Sequence, residues 1–344
     1  MPGRLTQVAA ALDEVTLGRG AALAVSGGTD SLALLELTRQ AAARTGRYDA
    51  ITVYAVDHGL RPEAADEAAF VLDTARRMGF AARGLRWEGA KPETGIQAAA
   101  RAARYRLFAA AMAEDGAGQL LTAHHRDDQA ETVLMRLAHG SGLTGLSGIH
   151  THATVDGCAI YRPLLGLGRA DLAAVVAAAG LTPVDDPSNA DPSYERVRWR
   201  QFQPQLDSMR LTAERLATLA ERLSDATALI AETVDSEFSR LVNLGEDGRV
   251  EMSQAAFAAL NPLVGAGLIE RALKQVAADD GRVPLAPLEL LAARLAHEEP
   301  FKAVTLHGCA ISCRKGRIVI GAEPQRRSAV VPGSADGARE TELT

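Results

Sequence analysis

Across residues 1–185, short apolar runs alternate with longer segments of helical periodicity, and this alternation limits the fold more than any other feature. Residues 22–25, 51–56, 82–86, 119–123 and, more weakly, 159–162 read as strands, brief and aliphatic between polar turns. Between them, residues 29–44, 63–78, 95–114, 127–138 and 169–180 carry helical patterns. Strands alternating with helices of this length predict an α/β domain with a parallel sheet covered on both faces. Ligands of such sheets gather beyond the carboxyl ends of the strands. "SGGTDS" at 26–31, "VDHGL" at 56–60 and "TAHHRDDQAET" at 122–132 all follow strand ends, so they are expected on one rim.

The first of these stretches sits inside "ALAVSGGTDSLALLEL", residues 22–37. Strand, glycine turn and helix together aim backbone N–H groups and a helix dipole at an anion, with phosphate the expected one. The loop lacks the lysine of GxxxxGKS/T and does not have the GxGxxG spacing. A plain glycine turn with an aspartate cap would account for six residues alone. The strand before it and the run of Leu32, Leu34, Leu35 and Leu37 after it favour the phosphate role. The stretch at 122–132 admits a metal cluster by residue type, but adjacent histidines diverge on a helix and no third soft ligand stands at metal spacing. "GIQAAARAARYRLF", residues 95–108, reads by itself as an amphipathic helix.

From about residue 186 the character changes. "DDPSNADPSYERVRWR" is a turn region rich in proline and Asx residues, followed by helical patterns over 212–242, 253–260, 263–277 and 287–296. "AVTLHGCAISCRKGRIVIGA", residues 303–322, reads as a hairpin turning at "RKGR", and the polar tail from 323 is expected to be disordered. At 344 residues there is room for about two domains. The expected division is a catalytic domain over 1–206, a helical linker and C-terminal region over 207–322, and the tail over 323–344. Gly140, Gly142, Gly145 and Gly148 read as the turn that ends the 127–138 helix. Cys309 and Cys313, spaced CxxxC on a strand, read as core residues.

Thirty-seven basic against 43 acidic side chains argue against a chain wrapped wholesale in nucleic acid. Arg196, Arg198, Arg200, Arg210, Arg215 and Arg222 nevertheless crowd into residues 194–223, as a phosphate-facing patch or as a solvated helix face. No run approaches the apolar length of a membrane span, and the N-terminal stretch, with Asp13 and Glu14, lacks the core of a secretion signal. Three cysteines do not make a disulfide framework, so a reducing, cytoplasmic setting is expected.

"SGGTDS" resembles the PP-loop of the N-type ATP pyrophosphatases, which cleave ATP between the α- and β-phosphates to adenylate a substrate. In order, "SGGTDS", "VDHGLRPEAADE", "GIQAAARAARYRLF" and "TAHHRDDQAETVLMRLAHGSGLTGLSGI" resemble the tRNA(Ile)-lysidine synthases. "YRPLLGLGRADL" and the 185–206 stretch extend the likeness to about residue 206. The resemblance implies a PP-loop domain followed by a mostly helical, tRNA-binding C-terminal region ending in a small hairpin. It implies ATP and Mg²⁺ as cofactors and tRNA(Ile) with a CAU anticodon and free L-lysine as partners, with no membrane; it leaves room for a homodimer. ATP would activate C2 of the wobble cytidine, and the lysine ε-amine would then displace AMP. By the same resemblance, Gly27, Gly28 and Thr29 let the backbone close on phosphates, Ser26 and Ser31 add hydroxyls, and Asp30 holds Mg²⁺. Asp57 and His58 belong to the nucleotide pocket, which His125 helps to shape. Arg104 and His124 steady the phosphates and the activated base, Asp128 orients or deprotonates the amine, and Arg196 serves the second step. Two positions depart from the family pattern: Gln97 stands for a glutamate and Val197 for an asparagine. The rival readings are another PP-loop enzyme, a tRNA thiolase or an amidotransferase-type synthetase, against which the lack of a CxxC pair and of glutaminase residues counts, and a nucleotide-sensing module without chemistry.

Overall fold

The expected strand–helix alternation is what the computed structural model of the chain contains, described for residues 2–18, 20–89, 91–92, 94–184, 191–297 and 303–324. It opens with α1 (Pro2–Leu17), β1 (Ala21–Ala24), α2 (Thr29–Thr45), a 3₁₀ turn (Tyr48–Ala50) and β2 (Ile51–Asp57). Then come α3 (Ala64–Arg77), β3 (Ala81–Arg86), α4 (Ile96–Asp115), β4 (Gln119–Leu121), α5 (Arg126–Ala138) and α6 (Leu143–Leu146). β5 (His152–Val155), β6 (Cys158–Tyr161), α7 (Arg169–Ala178), α8 (Glu195–Ser208) and α9 (Ala213–Leu241) follow. The chain divides into two compact units, Met1–Thr227 and Ala228–Thr344, with the boundary inside α9.

The sheet of the first unit has the strand order β3-β2-β1-β4-β6-β5. All pairings are parallel except β5 with β6, which closes the edge with an antiparallel strand. Strand side chains alternate between faces, and here the alternation divides the core. Ala21, Leu23 and Val25 join Ile51, Val53 and Ala55 on one side, beneath Leu32, Leu34 and Leu35 of α2 and Leu172 and Val176 of α7. Ala22 and Tyr54 join Tyr105, Phe108 and Met112 of α4 on the other. The order reverses at β1, whose neighbours are β2 and β4, so a crevice opens at the carboxyl ends of β1 and β4.

The second unit continues with β7 (Asn243–Leu244), β8 (Val250–Ser253), α10 (Gln254–Ala258), α11 (Pro262–Ala277), α12 (Leu285–Ala296), β9 (Val304–Leu306), β10 (Cys309–Arg314) and β11 (Arg317–Ala322). The expected hairpin is there. Arg314 pairs with Arg317 across a two-residue turn in which Lys315 and Gly316 both have positive φ, 50° and 70°. It is part of a larger antiparallel sheet, ordered β7-β8-β11-β10-β9. That sheet packs Val250, Met252, Ile318 and Ile320 against Leu268 and Leu273 of α11 and Leu291 and Leu295 of α12. Cys309 and Cys313 are buried free thiols in this core. The tail expected to be disordered lies, beyond Pro324, outside the described residues.

Candidate active site

After β1 the chain turns through Ser26 and Gly27 and enters α2 at Gly28. Gly27 has φ +89°, and a Cβ there would meet Val184 at 3.1 Å and Val71 at 3.3 Å, so the turn requires glycine. Gly28 is the extended N-cap and has no side chain to satisfy the first amides of α2, which remain available to a ligand. The Ser31 hydroxyl accepts the Ser26 amide at 3.1 Å and donates to the Gly28 carbonyl at 3.0 Å. Ser31 thus closes the loop on itself, leaving Ser26 as its more exposed hydroxyl.

α5 begins where β4 ends, and its N-terminus gathers the charges. His125 is the N-cap, fully buried; Asp128, three residues on, accepts the His125 amide at 3.0 Å in a capping box. Nδ1 of His125 faces Asp127, 3.2 Å from its amide and 3.5 Å from its carboxylate. Nε2 lies 3.3 Å from Asp30 Oδ2 and 3.5 Å from Asp128 Oδ2. Burial disfavours the imidazolium, but Asp127, Asp30 and Asp128 outweigh it and push the pKa up to about 9. The amide cap at Nδ1 belongs to the neutral form; in the cation that nitrogen turns its proton to the Asp127 carboxylate. Burial would raise the Asp30 pKa, but His125, with Arg169 and Arg200 behind it, holds the carboxyl below its ordinary value.

His124 points differently. Its Nδ1 is 2.9 Å from the Thr122 hydroxyl, and burial, aided by Arg162, Arg196 and Arg101, lowers its pKa to about 4 against the pull of Asp128. It is a neutral imidazole at physiological pH.

One turn further along α5, Glu131 is buried and draws three arginines from two other helices. Arg169 Nη2 lies at 3.1 Å, Arg200 Nε at 3.0 Å and Arg196 Nε at 3.6 Å from its oxygens. Arg196 also donates to the Thr132 hydroxyl at 3.2 Å and stands 3.9 Å from Asp128 Oδ1. One buried carboxylate thus holds three guanidiniums beside the cleft.

These groups border a cleft of about 610 Å³, within the range of small-molecule sites. Ser26, Asp30, Ser31, His58, Arg104, His124, Asp128 and Arg196 all line it. Gly27, Gly28 and Thr29 form the turn without lining it, and Asp57 stands outside: its Oδ1 accepts the Gly59 amide at 2.8 Å and its Oδ2 faces Arg86 at 3.6 Å. Arg104 Nε and His58 Nδ1 are buried without hydrogen-bond partners. Burial lowers both pKa values, and the Arg104 charge further lowers that of His58. Of the two departures from the family pattern, Gln97 lines the cleft and Val197 is buried. Sequence reasoning missed Glu131 and Arg169, and placed Arg200 only within the arginine-rich stretch of 194–223. The available signal was the i, i+4 spacing of Arg196 and Arg200, which puts both on one face of α8.

A cleft that pairs an uncapped glycine loop with carboxylates and an arginine whose buried Nε has no partner defines a phosphate-handling site, and a family model described as the PP-loop domain matches residues 4–206. A protein of Rhodopseudomonas palustris named tRNA(Ile)-lysidine synthase is 42% identical over 319 residues, covering 90% of this chain and 92% of its own. One of the same name from Methylobacterium nodulans is 43% identical over 325 residues, covering 91% and 94%. The chain belongs to the tRNA(Ile)-lysidine synthase family. Among solved structures, the U34-tRNA thiolase NcsA of Methanococcus maripaludis with its 4Fe-4S cluster shares the fold, with a TM-score of 0.51 at 15% identity over 64% of this chain and 80% of that one.

Proposed function

We propose that the protein ligates lysine to C2 of the wobble cytidine in the CAU anticodon of tRNA(Ile), forming lysidine. The observation that carries this reading is the likeness to proteins of that name across about nine-tenths of both chains. The cytidine O2 attacks the α-phosphorus of ATP, the bond to pyrophosphate breaks, and the base becomes adenylated. The ε-amine of lysine then attacks C2, the C2–O bond breaks, AMP departs and the amine gives up a proton.

Each residue has a task suited to its surroundings. The loop amides and Ser26 bind phosphate oxygens. Arg104, half-buried with an enclosed and unpartnered Nε, neutralises charge that develops during adenylation. His124 is neutral and can hydrogen-bond the activated base without adding charge. Asp128, with one oxygen engaged in capping and the other toward Arg196, orients the lysine amine. Asp30 suits Mg²⁺, because its Oδ1 is a buried acceptor without a hydrogen-bond partner. Bound there, Mg²⁺ would offset phosphate charge; Asp30 would hold it and the loop amides would orient the nucleotide.

The 2-thiolation rival needs a reactive thiolate. The three cysteines are buried, and burial raises the pKa of each thiol. The deciding experiment supplies ATP, labelled lysine and a tRNA(Ile) transcript with a CAU anticodon. Label enters that tRNA and not the methionine tRNAs with the same anticodon. Asp30→Asn leaves the circular dichroism spectrum unchanged and slows pyrophosphate release by about 10²–10³-fold, the scale for removing one electrostatic stabiliser. Sulfur incorporation in place of lysine would overturn the reading.

A further inference from the structure

α4 connects parallel β3 and β4, so it starts at the carboxyl-end rim of the sheet and runs back from it. Gln97, Arg101 and Arg104, at i, i+4 and i+7, share the side that lines the cleft and stand in that order from the mouth inward. The inner arginine, Arg104, is half-buried, whereas Arg101 is exposed. The Arg101 guanidinium sits over the face of the buried Tyr105 ring, its carbon 5.0 Å from the ring centre. That stacking steadies the cation and leaves its N–H edge open. Among the described residues Arg101 makes no hydrogen bond and no ion pair. Gln97, one turn nearer the mouth, is neutral and supplies no carboxylate.

Two more guanidiniums stand within reach of its charge. Arg162, at the end of β6, is only 6% exposed; its Nη1 donates to the His150 carbonyl at 2.6 Å and its Nε has no partner. Burial lowers the pKa of Arg104 and Arg162, and the Arg101 charge lowers both further. Like charges gathered this way oppose one another until an anion arrives. In the proposed reaction the phosphates of ATP answer Arg104, and Arg101 is left over.

ATP and lysine can enter the cleft whole. The wobble cytidine cannot, because its ribose and phosphates are continuous with the rest of the tRNA. Its base goes in, and a phosphodiester stays near the mouth, at the level where Arg101 stands. We propose that Arg101 binds a phosphodiester flanking the wobble cytidine, gripping the backbone at the mouth while the base reaches the adenylation site. A guanidinium fork fits the two free oxygens of such a linkage. The identity of the nucleotide rests on the proposed function; the unpaired cation rests on the structure.

Removing the charge from each partner in turn tests the contact. Arg101→Gln removes it from the protein. A tRNA(Ile) assembled with one neutral methylphosphonate linkage, on one side or the other of the wobble cytidine, removes it from the RNA. Filter binding gives the Kd for tRNA, lysine transfer gives the KM values, and equilibrium dialysis gives the Kd for ATP. Arg101→Gln is expected to raise the Kd and KM for tRNA about tenfold, the scale for one charged phosphate contact. ATP binding, the KM for lysine and the melting temperature stay parental. Arg101→Lys, which keeps the charge but not the fork, is expected to fall between Arg101→Gln and the parent. One of the two methylphosphonate tRNAs is expected to cost the parent a similar factor and to cost Arg101→Gln nothing further. A merely structural arginine would show no such coupling. Additive losses with both linkages, an unchanged Kd for tRNA in Arg101→Gln, or a loss that falls on ATP or lysine instead would sink the assignment. Should the parent transfer no lysine to unmodified tRNA, the proposed function fails, and the coupling in Kd still decides the contact.

Discussion

Two adjacent histidines show how far one position can change a side chain's chemistry. His124 has its pKa lowered to about 4 by burial, whereas His125 is pushed up to about 9, its three carboxylates outweighing burial. The consequences for stability have opposite signs. His124 is neutral when folded and titrates near 6.5 when unfolded. Its contribution is complete above pH 6.5 and drains away as the pH falls to about 4. The contribution of His125 is complete below pH 6.5 and is lost as the pH rises through about 9. His124→Gln should therefore flatten the loss of unfolding free energy between pH 6.5 and about 4 and leave the alkaline limb alone, as urea titrations at a series of pH values would show. The sequence made both histidines conspicuous, but not which would be charged. That depends on how deeply His124 is buried and on Asp127, Asp30 and Asp128 meeting around His125, which only the fold brings about.

Among elements, α5 organises the site: cap, cleft-facing carboxylate and buried Glu131 succeed one another along it. Gln129 faces the next loop, holding the carbonyl of Ile149 at 3.0 Å and its amide at 2.5 Å. Glu131→Gln would leave three guanidiniums around a neutral amide. A loss of about 1.5–3 kcal/mol in chemical denaturation is expected, the scale of a charged hydrogen bond, because the arginines are about a third exposed. Arg196, losing its anchor, should also raise the KM for lysine. The parallel strands and the helices between them were legible to within a residue or two, because buried β1, β2 and α2 carry dense aliphatic patterns, whereas the antiparallel edge strand β5, with no buried residue, was not. α1 and α8 were not. α1 commits only Val8, Leu12 and Val15 to the core, and α8 only Val197 and Leu206, with Pro204 inside it. β7 has two exposed residues and no pattern to read.

At the scale of the whole chain, the family match stops at residue 206 but the first unit runs to Thr227. The reason is a small core in which Leu206, Leu216 and Ala220 cover Ala130, Val133 and Leu134 of α5. A chain ending after Gln205 would strip that face and should lose nucleotide binding along with stability. One ending after Thr227 should keep nucleotide binding and lose most affinity for tRNA; filter binding and ATP dialysis on both would tell. The intact protein should bind tRNA more than about tenfold more weakly at roughly 200 mM than at roughly 50 mM salt, as phosphate contacts release counterions. The two units also carry their own clocks. Cys158, its thiol donating to the Tyr105 carbonyl at 3.4 Å, is sealed in the first, and Cys309 and Cys313 are sealed in the second. A thiol reagent can reach each sulfur only when the core around it opens. Mass spectrometry of the labelled peptides would then time the opening of each unit separately in the unmodified protein, without a single engineered probe.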